Sequence, residues 1–143
     1  MKFIRIFLIN FLLLTVLQAV GIAQDLAQIM FINELDGKRV ATYGDALRML
    51  RFQVGAISKS YTYLDKGYFD DLKLTKGMIS LIIAEHLELK QSFMYRIFRT
   101  ERYAYRACVA ENLFSADGNE NDLMSGPELI GLFLKVNEFK SRR

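Results

Sequence analysis

Thr75-Lys76-Gly77-Met78-Ile79-Ser80-Leu81-Ile82-Ile83-Ala84-Glu85-His86-Leu87-Glu88-Leu89 sets the character of the whole chain. Thr75 is a helix-capping residue type, and from Met78 to Leu89 the apolar side chains Ile79, Ile82, Ile83 and Leu87 recur on one helical face. On the N-terminal side, Thr42-Tyr43-Gly44 repeats the Thr-x-Gly start 33 residues earlier. Asp45 follows three residues after Thr42, placing negative charge in the first turn, where open amides and the helix dipole favour it. Tyr43, Leu47, Leu50 and Val54 then mark one face, and Gly55 closes the helix. Between the two starts, Ser58 to Lys66 reads as a shorter helix ended by Gly67, with Tyr61 and Leu64 inward. The echo suggests a duplicated helix-pair unit.

On the C-terminal side, a helix begins at Thr100 with Tyr103, Ala107, Ala110 and Phe114 inward. Another begins at Ser125, where Ser125-x-x-Glu128 is a capping box and Pro127 sits in the first turn, with Leu129, Leu132, Phe133 and Val136 inward. Gln24 to Ala41 fits a short helix ending at the Asp36-Gly37 turn, or a small hairpin over that turn; the helix is favoured. The expected fold is all-α, a single compact domain of about five or six short helices.

The first residues read as an export signal. Lys2 and Arg5 precede an apolar run of about 15 residues, shorter than the ~20 of a spanning helix, and Gly21-Ile22-Ala23 fits a peptidase site. The expected organisation is a cleaved signal over residues 1–23 and one domain over 24–143, with no integral span after cleavage and an exported, periplasmic or envelope-associated location. A chain of that size buries roughly two thirds of its surface, enough for a core without cross-links. The formal charge of +3 falls to about +1 once Lys2 and Arg5 are removed, which gives no support to nucleic-acid binding. Cys108 is the only cysteine, so no intramolecular disulfide forms, and it is expected as a small buried side chain.

Two resemblances attach to these patterns. The Thr-x-Gly starts, with Tyr68-Phe69-Asp70-Asp71 between them, are similar to S-layer homology domains over about Thr42 to Leu89. The chain departs from that family in lacking a tryptophan and in having Met78 where Asp45 stands in the first copy. Arg102-Tyr103-Ala104 followed by Ser125-Gly126-x-Glu128-Leu129 resembles a set of exported bacterial helical proteins, which implies an envelope setting and no particular chemistry.

Two stretches are candidate sites. Tyr95 to Arg106 interleaves four arginines with four aromatics. Tyr95, Arg99, Arg102, Tyr103 and Arg106 form the candidate binding set, with Arg99, Arg102 and Arg106 spaced to share one helix face. Guanidinium forks suit phosphate and carboxylate, and rings stack on sugars or cations. The expected partner is an envelope polymer, a lipid head group or an envelope protein. The plainer alternative is a solvated face paired with Glu85, Glu88 and Glu101. Phe93, Phe98, Tyr105 and Phe139 are candidates for an exposed patch.

The second stretch, Asp117 to Glu128, has the spacing of a degenerate calcium loop. Asp117, Asn119, Asn121, Ser125 and Glu128 stand at the side-chain ligand positions and Leu123 at the carbonyl position. Asp122 occupies the place of the glycine that the sharp turn calls for. Catalysis is not expected. His86 is the sole histidine, so no histidine-ligated metal cluster can form, and no nucleophile elbow or phosphate-cradling glycine loop is present. No cofactor is expected, calcium being the single alternative. The expected function is a non-catalytic exported binding module of the bacterial envelope.

Overall fold

A computed structural model describes residues 21–54, 70–89 and 93–142. Among these residues the fold is all-α, with six helices and no sheet. The chain divides into two compact units, Met1–Glu34 and Leu35–Arg143. Residues 1–20, the expected helix from Ser58 to Lys66 and the expected stops at Gly55 and Gly67 lie outside the described residues.

Helix α1 covers residues 21–36, and the Ala23–Gln24 bond, the expected cleavage point, lies within it. The turn at Gly37 ends it, as the Asp36-Gly37 dipeptide predicts. Ile22, Leu26, Ile29 and Met30 are exposed along its length. Then follow α2 (Tyr43–Val54), α3 (Lys76–His86), α4 (Phe93–Phe98), α5 (Glu101–Ala110) and α6 (Gly126–Ser141). Helix α3 is the hub: it packs on α5 and touches α2, and α5 in turn holds α4. Its residues from Gly77 to Ala84 are buried without exception. A helix apolar all round belongs at the centre of a domain.

Three helices begin at one place. The residues before their caps, Ala41, Leu74 and Met124, close a ring of backbone hydrogen bonds. Leu74 N–H donates to Ala41 C=O (2.9 Å), Met124 N–H to Leu74 C=O (2.9 Å) and Ala41 N–H to Met124 C=O (2.7 Å). All three side chains are buried. Each backbone group in this dry ring therefore has a partner, as burial demands.

The short extended segments before each cap continue the pattern cyclically. Tyr43 and Gly44 N–H donate to the Leu72 and Asp70 carbonyls, and Lys76 and Gly77 N–H donate to those of Asp122 and Glu120. In the third copy Gly126 N–H donates to Lys38 C=O at 3.0 Å. The next position there is Pro127, which has no N–H to give, so this seam ends one bond sooner. The 33-residue echo is thus two members of a set of three. The third, Ser125-Gly126-Pro127, is hidden by its longer spacing and its proline.

Capping fixes each start. Thr42 and Asp45 exchange bonds, Thr42 N–H to Asp45 Oδ2 (2.9 Å) and Asp45 N–H to Thr42 Oγ1 (3.3 Å). Ser125 and Glu128 do the same at 2.8 and 3.3 Å. Thr75 accepts from Met78 N–H at 3.2 Å, and the Met78 side chain has no oxygen to return the bond. Lys38 reaches buried Asp45 at 2.9 Å, tying the segment before α2 to its first turn.

The helix ends differ from the sequence-based expectation. Helix α3 stops at His86, short of Leu89, because Glu88 takes a left-handed conformation (φ 49°) and Leu89 N–H folds back to Ala84 C=O. Helix α5 ends in the same way at Asn112 (φ 59°), with Leu113 N–H donating to Cys108 C=O. Glycine is the usual residue for this closure, and neither end has one. Helix α5 buries Ala104, Tyr105, Ala107 and Cys108. Its inward face is rotated from the expected one: Ala110 is exposed, while Tyr103 and Phe114 are only half-buried.

Candidate functional site

The arginine-aromatic run is not one helix. Arg99 adopts φ 42°, its N–H closing α4 onto Tyr95 C=O (3.0 Å), and Thr100 in extended conformation opens α5. Arg99, Arg102 and Arg106 therefore do not share a single helix face. Arg102 and Arg106 lie one turn apart on α5, both exposed, and Arg99 is exposed at the junction. Neither Arg102 nor Arg106 makes an ion pair among the described residues.

The aromatic members divide by depth. Tyr103 is half-buried and stacks on Phe98 across the junction, with ring centroids 5.3 Å apart and planes 26° from parallel. Such offset stacking stiffens the α4–α5 corner. Tyr95 is half-buried. Burial pushes its hydroxyl up to about 12, the nearby Glu85 carboxylate adding to the effect and Arg99 opposing it. Tyr105, expected as an exposed candidate, is buried, and its hydroxyl donates to Ser115 C=O at 3.1 Å. Its ring lies 5.4 Å from that of Phe114, and burial, followed by Asp122, Glu120 and Asp117, raises its hydroxyl. Phe139 is half-buried.

Helix α4 holds what the sequence shows only in part. None of its residues is buried; Phe93, Met94, Ile97 and Phe98 are 69, 42, 55 and 53% exposed. At 100° per residue these four fall on one side, flanked by Tyr95 at one edge and Arg96 at the other. Phe93 and Phe98 are legible as candidates in the sequence, whereas Met94 and Ile97 escape that reading. Their i, i+1, i+4, i+5 spacing is the available signal.

The loop from Asp117 to Glu128 engages several of its side-chain oxygens with neighbouring backbone N–H groups and serine hydroxyls. Ser115 Oγ and Asp117 Oδ2 lie 3.4 Å apart, Asn119 Oδ1 accepts from Asn121 N–H at 3.0 Å, and Asp122 Oδ2 accepts from Asn119 N–H at 2.9 Å. Glu128 Oε2 accepts from both the N–H and the hydroxyl of Ser125, each at 2.8 Å. These bonds, the backbone one first, hold its carboxyl below the usual carboxylate range. Lys76 Nζ stands 3.5 Å from Asp122 and 3.9 Å from Glu128, a resident cation at the closed end. Among the described residues no group of three or more His, Cys, Asp or Glu side chains is placed to hold a metal. Millimolar calcium is therefore expected to leave the thermal midpoint unchanged. A rise that Glu128→Gln abolishes would show that the loop rearranges around the ion.

No protein-family model, curated protein or solved structure matches the chain. Chemistry must be read from the side chains alone. Cys108 is fully buried beside Ser80, its Sγ 3.8 Å from the Ser80 carbonyl, and burial raises its thiol to about 12. A thiol so protonated is a packing group, not a nucleophile. His86 is half-buried at the end of α3. Among the described residues, exposed cationic forks and apolar rings lie together on α4 and α5.

Proposed function

We propose that the chain is a non-catalytic, exported binding module of the bacterial cell envelope. It engages an anionic envelope component through Tyr95, Arg99, Arg102, Tyr103 and Arg106. The observation that carries this is the exposure of Arg102 and Arg106 on one side of α5 without ion pairs among the described residues, beside the Phe98–Tyr103 stack. Guanidinium groups left in water keep their donors for a phosphate or carboxylate, and a fixed ring pair beside them supplies a stacking surface. The N-terminal charged and apolar segment supports the envelope setting.

Co-sedimentation with purified envelope and wall fractions tests the proposal. The chain is expected to pellet at low salt and to be released as salt rises, because exposed charges are screened within about 8 Å at physiological ionic strength. Arg102→Ala with Arg106→Ala is expected to abolish most of the pelleting while shifting the melting temperature by no more than a few degrees, as surface substitutions cost under ~0.5 kcal/mol each. Loss of folding in that variant would make the arginines structural and remove the proposal.

A further inference from the structure

We infer that the partner of this face is the surface of an anionic lipid bilayer, with α4 lying in the interface and its apolar side chains among the lipid chains. The inference rests on the arginine face proposed above and assigns its ligand. Phe93, Met94, Ile97 and Phe98 form a continuous apolar side on a helix that buries no residue in the protein. A six-residue helix is too short to be held by its own hydrogen bonds. Here it is held at its C-terminal end by the Phe98–Tyr103 stack on α5, and the apolar side is left outward.

Charge selects the occupant. Arg96 flanks the apolar side, and Arg99, Arg102 and Arg106 continue from it; all four are exposed. None of the four makes an ion pair among the described residues. Glu85 is half-buried and faces Tyr95, Glu101 turns its side chain toward Gly77 on α3, and Glu88 is exposed beyond the end of α3. An apolar ridge edged with arginine matches an interfacial helix, whose rings enter the acyl boundary while guanidinium groups reach back to phosphates. A second copy of the chain is a poorer fit, because a two-fold contact on this ridge would set arginine against arginine. A ridge also suits a fluid partner that needs no matching groove.

The sequence contains no tryptophan, so Phe98→Trp in the full chain gives a fluorescent probe that reports only this site. With vesicles of phosphatidylglycerol, the emission of that single indole is expected to move to the blue and to be quenched by brominated acyl chains. With phosphatidylcholine alone it is expected to stay at the aqueous position. Arg96→Gln and Arg99→Gln in that background are each expected to raise the lipid concentration at the midpoint roughly fivefold. Phe93→Trp repeats the reading at a residue outside the Phe98–Tyr103 stack, so a disturbed corner cannot imitate a negative result. If both probes stay water-exposed while the full chain pellets with anionic vesicles, α4 does not enter lipid and the inference is overturned. The arginine face then still stands or falls by the Arg102 and Arg106 variants. Equal quenching in both lipids overturns the anionic selectivity.

Discussion

Gly126→Ala lowers the melting temperature by roughly 10–20 °C, corresponding to a loss of about 3 kcal/mol. Gly126 is buried at the first position of α6, where its N–H donates to Lys38 C=O. A Cβ built there overlaps the Leu35 carbonyl oxygen and comes within 2.7 Å of the Leu35 carbonyl carbon. The obstacle is backbone, and that backbone is itself fixed: Lys38 N–H donates to the same Leu35 carbonyl. Relief requires moving either the start of α6 or the segment feeding Ala41, and both belong to the three-way ring. Gly131→Ala is the control. It lies within the same helix with nothing within 4 Å of its Cβ position, so alanine there is expected to raise stability by ~0.5–1 kcal/mol. Thermal unfolding followed by circular dichroism reads both. A Gly126→Ala protein melting within about two or three degrees of the parent, against the shift expected for such a loss, would show that the ring tolerates displacement.

Phe133→Ala is the second large effect, expected to cost about 3–5 kcal/mol in denaturant unfolding with little change in the slope. Phe133 is 1% exposed and lies on the buried face of α6 with Leu129, Leu132 and Val136. Its carbonyl accepts from Gln53 Nε2 on α2 at 3.2 Å, so the backbone behind the side chain is fixed from another helix and cannot collapse freely into the void. Leu134, its exposed neighbour, provides the comparison: Leu134→Ala leaves no cavity and is expected to change stability by under ~0.5 kcal/mol. Similar losses in both would mean that α6 contributes propensity and not packing.

The legible parts of the chain are those written within one helical turn. Thr42 with Asp45, Thr75, and Ser125 with Glu128 announce their helix starts because a capping bond spans three residues, and the structure forms the bonds these residues permit. Periodicity alone places Ile79, Ile82, Ile83 and Leu87 inward on one helix, and Leu129, Leu132, Phe133 and Val136 on another, and all are buried. It succeeds less well for α5. Small residues at 104, 107, 108 and 110 give almost no contrast between faces, and which alanines are covered depends on α3 packed against them. The candidate site is legible as composition. That Arg99 leaves the helix, that Tyr105 turns inward to Ser115 and that α4 projects its apolar side are not.

Helix class, the starts of α2, α3, α5 and α6, the inward residues of α3 and α6 and the burial of Cys108 are all written in the order of the amino acids. Local bonds and apolar spacing act before the chain has a tertiary environment. The meeting of three of those starts is a property of the folded chain instead. The bonds among Ala41, Leu74 and Met124 join residues dozens of positions apart, and any residue's backbone can accept them while all but proline can donate, so no side-chain pattern records the choice. The left-handed ends at Glu88, Arg99 and Asn112 belong with them. None is glycine, and each holds an uncommon conformation because the bonds around it, such as Leu89 N–H to Ala84 and Leu113 N–H to Cys108, offset the strain.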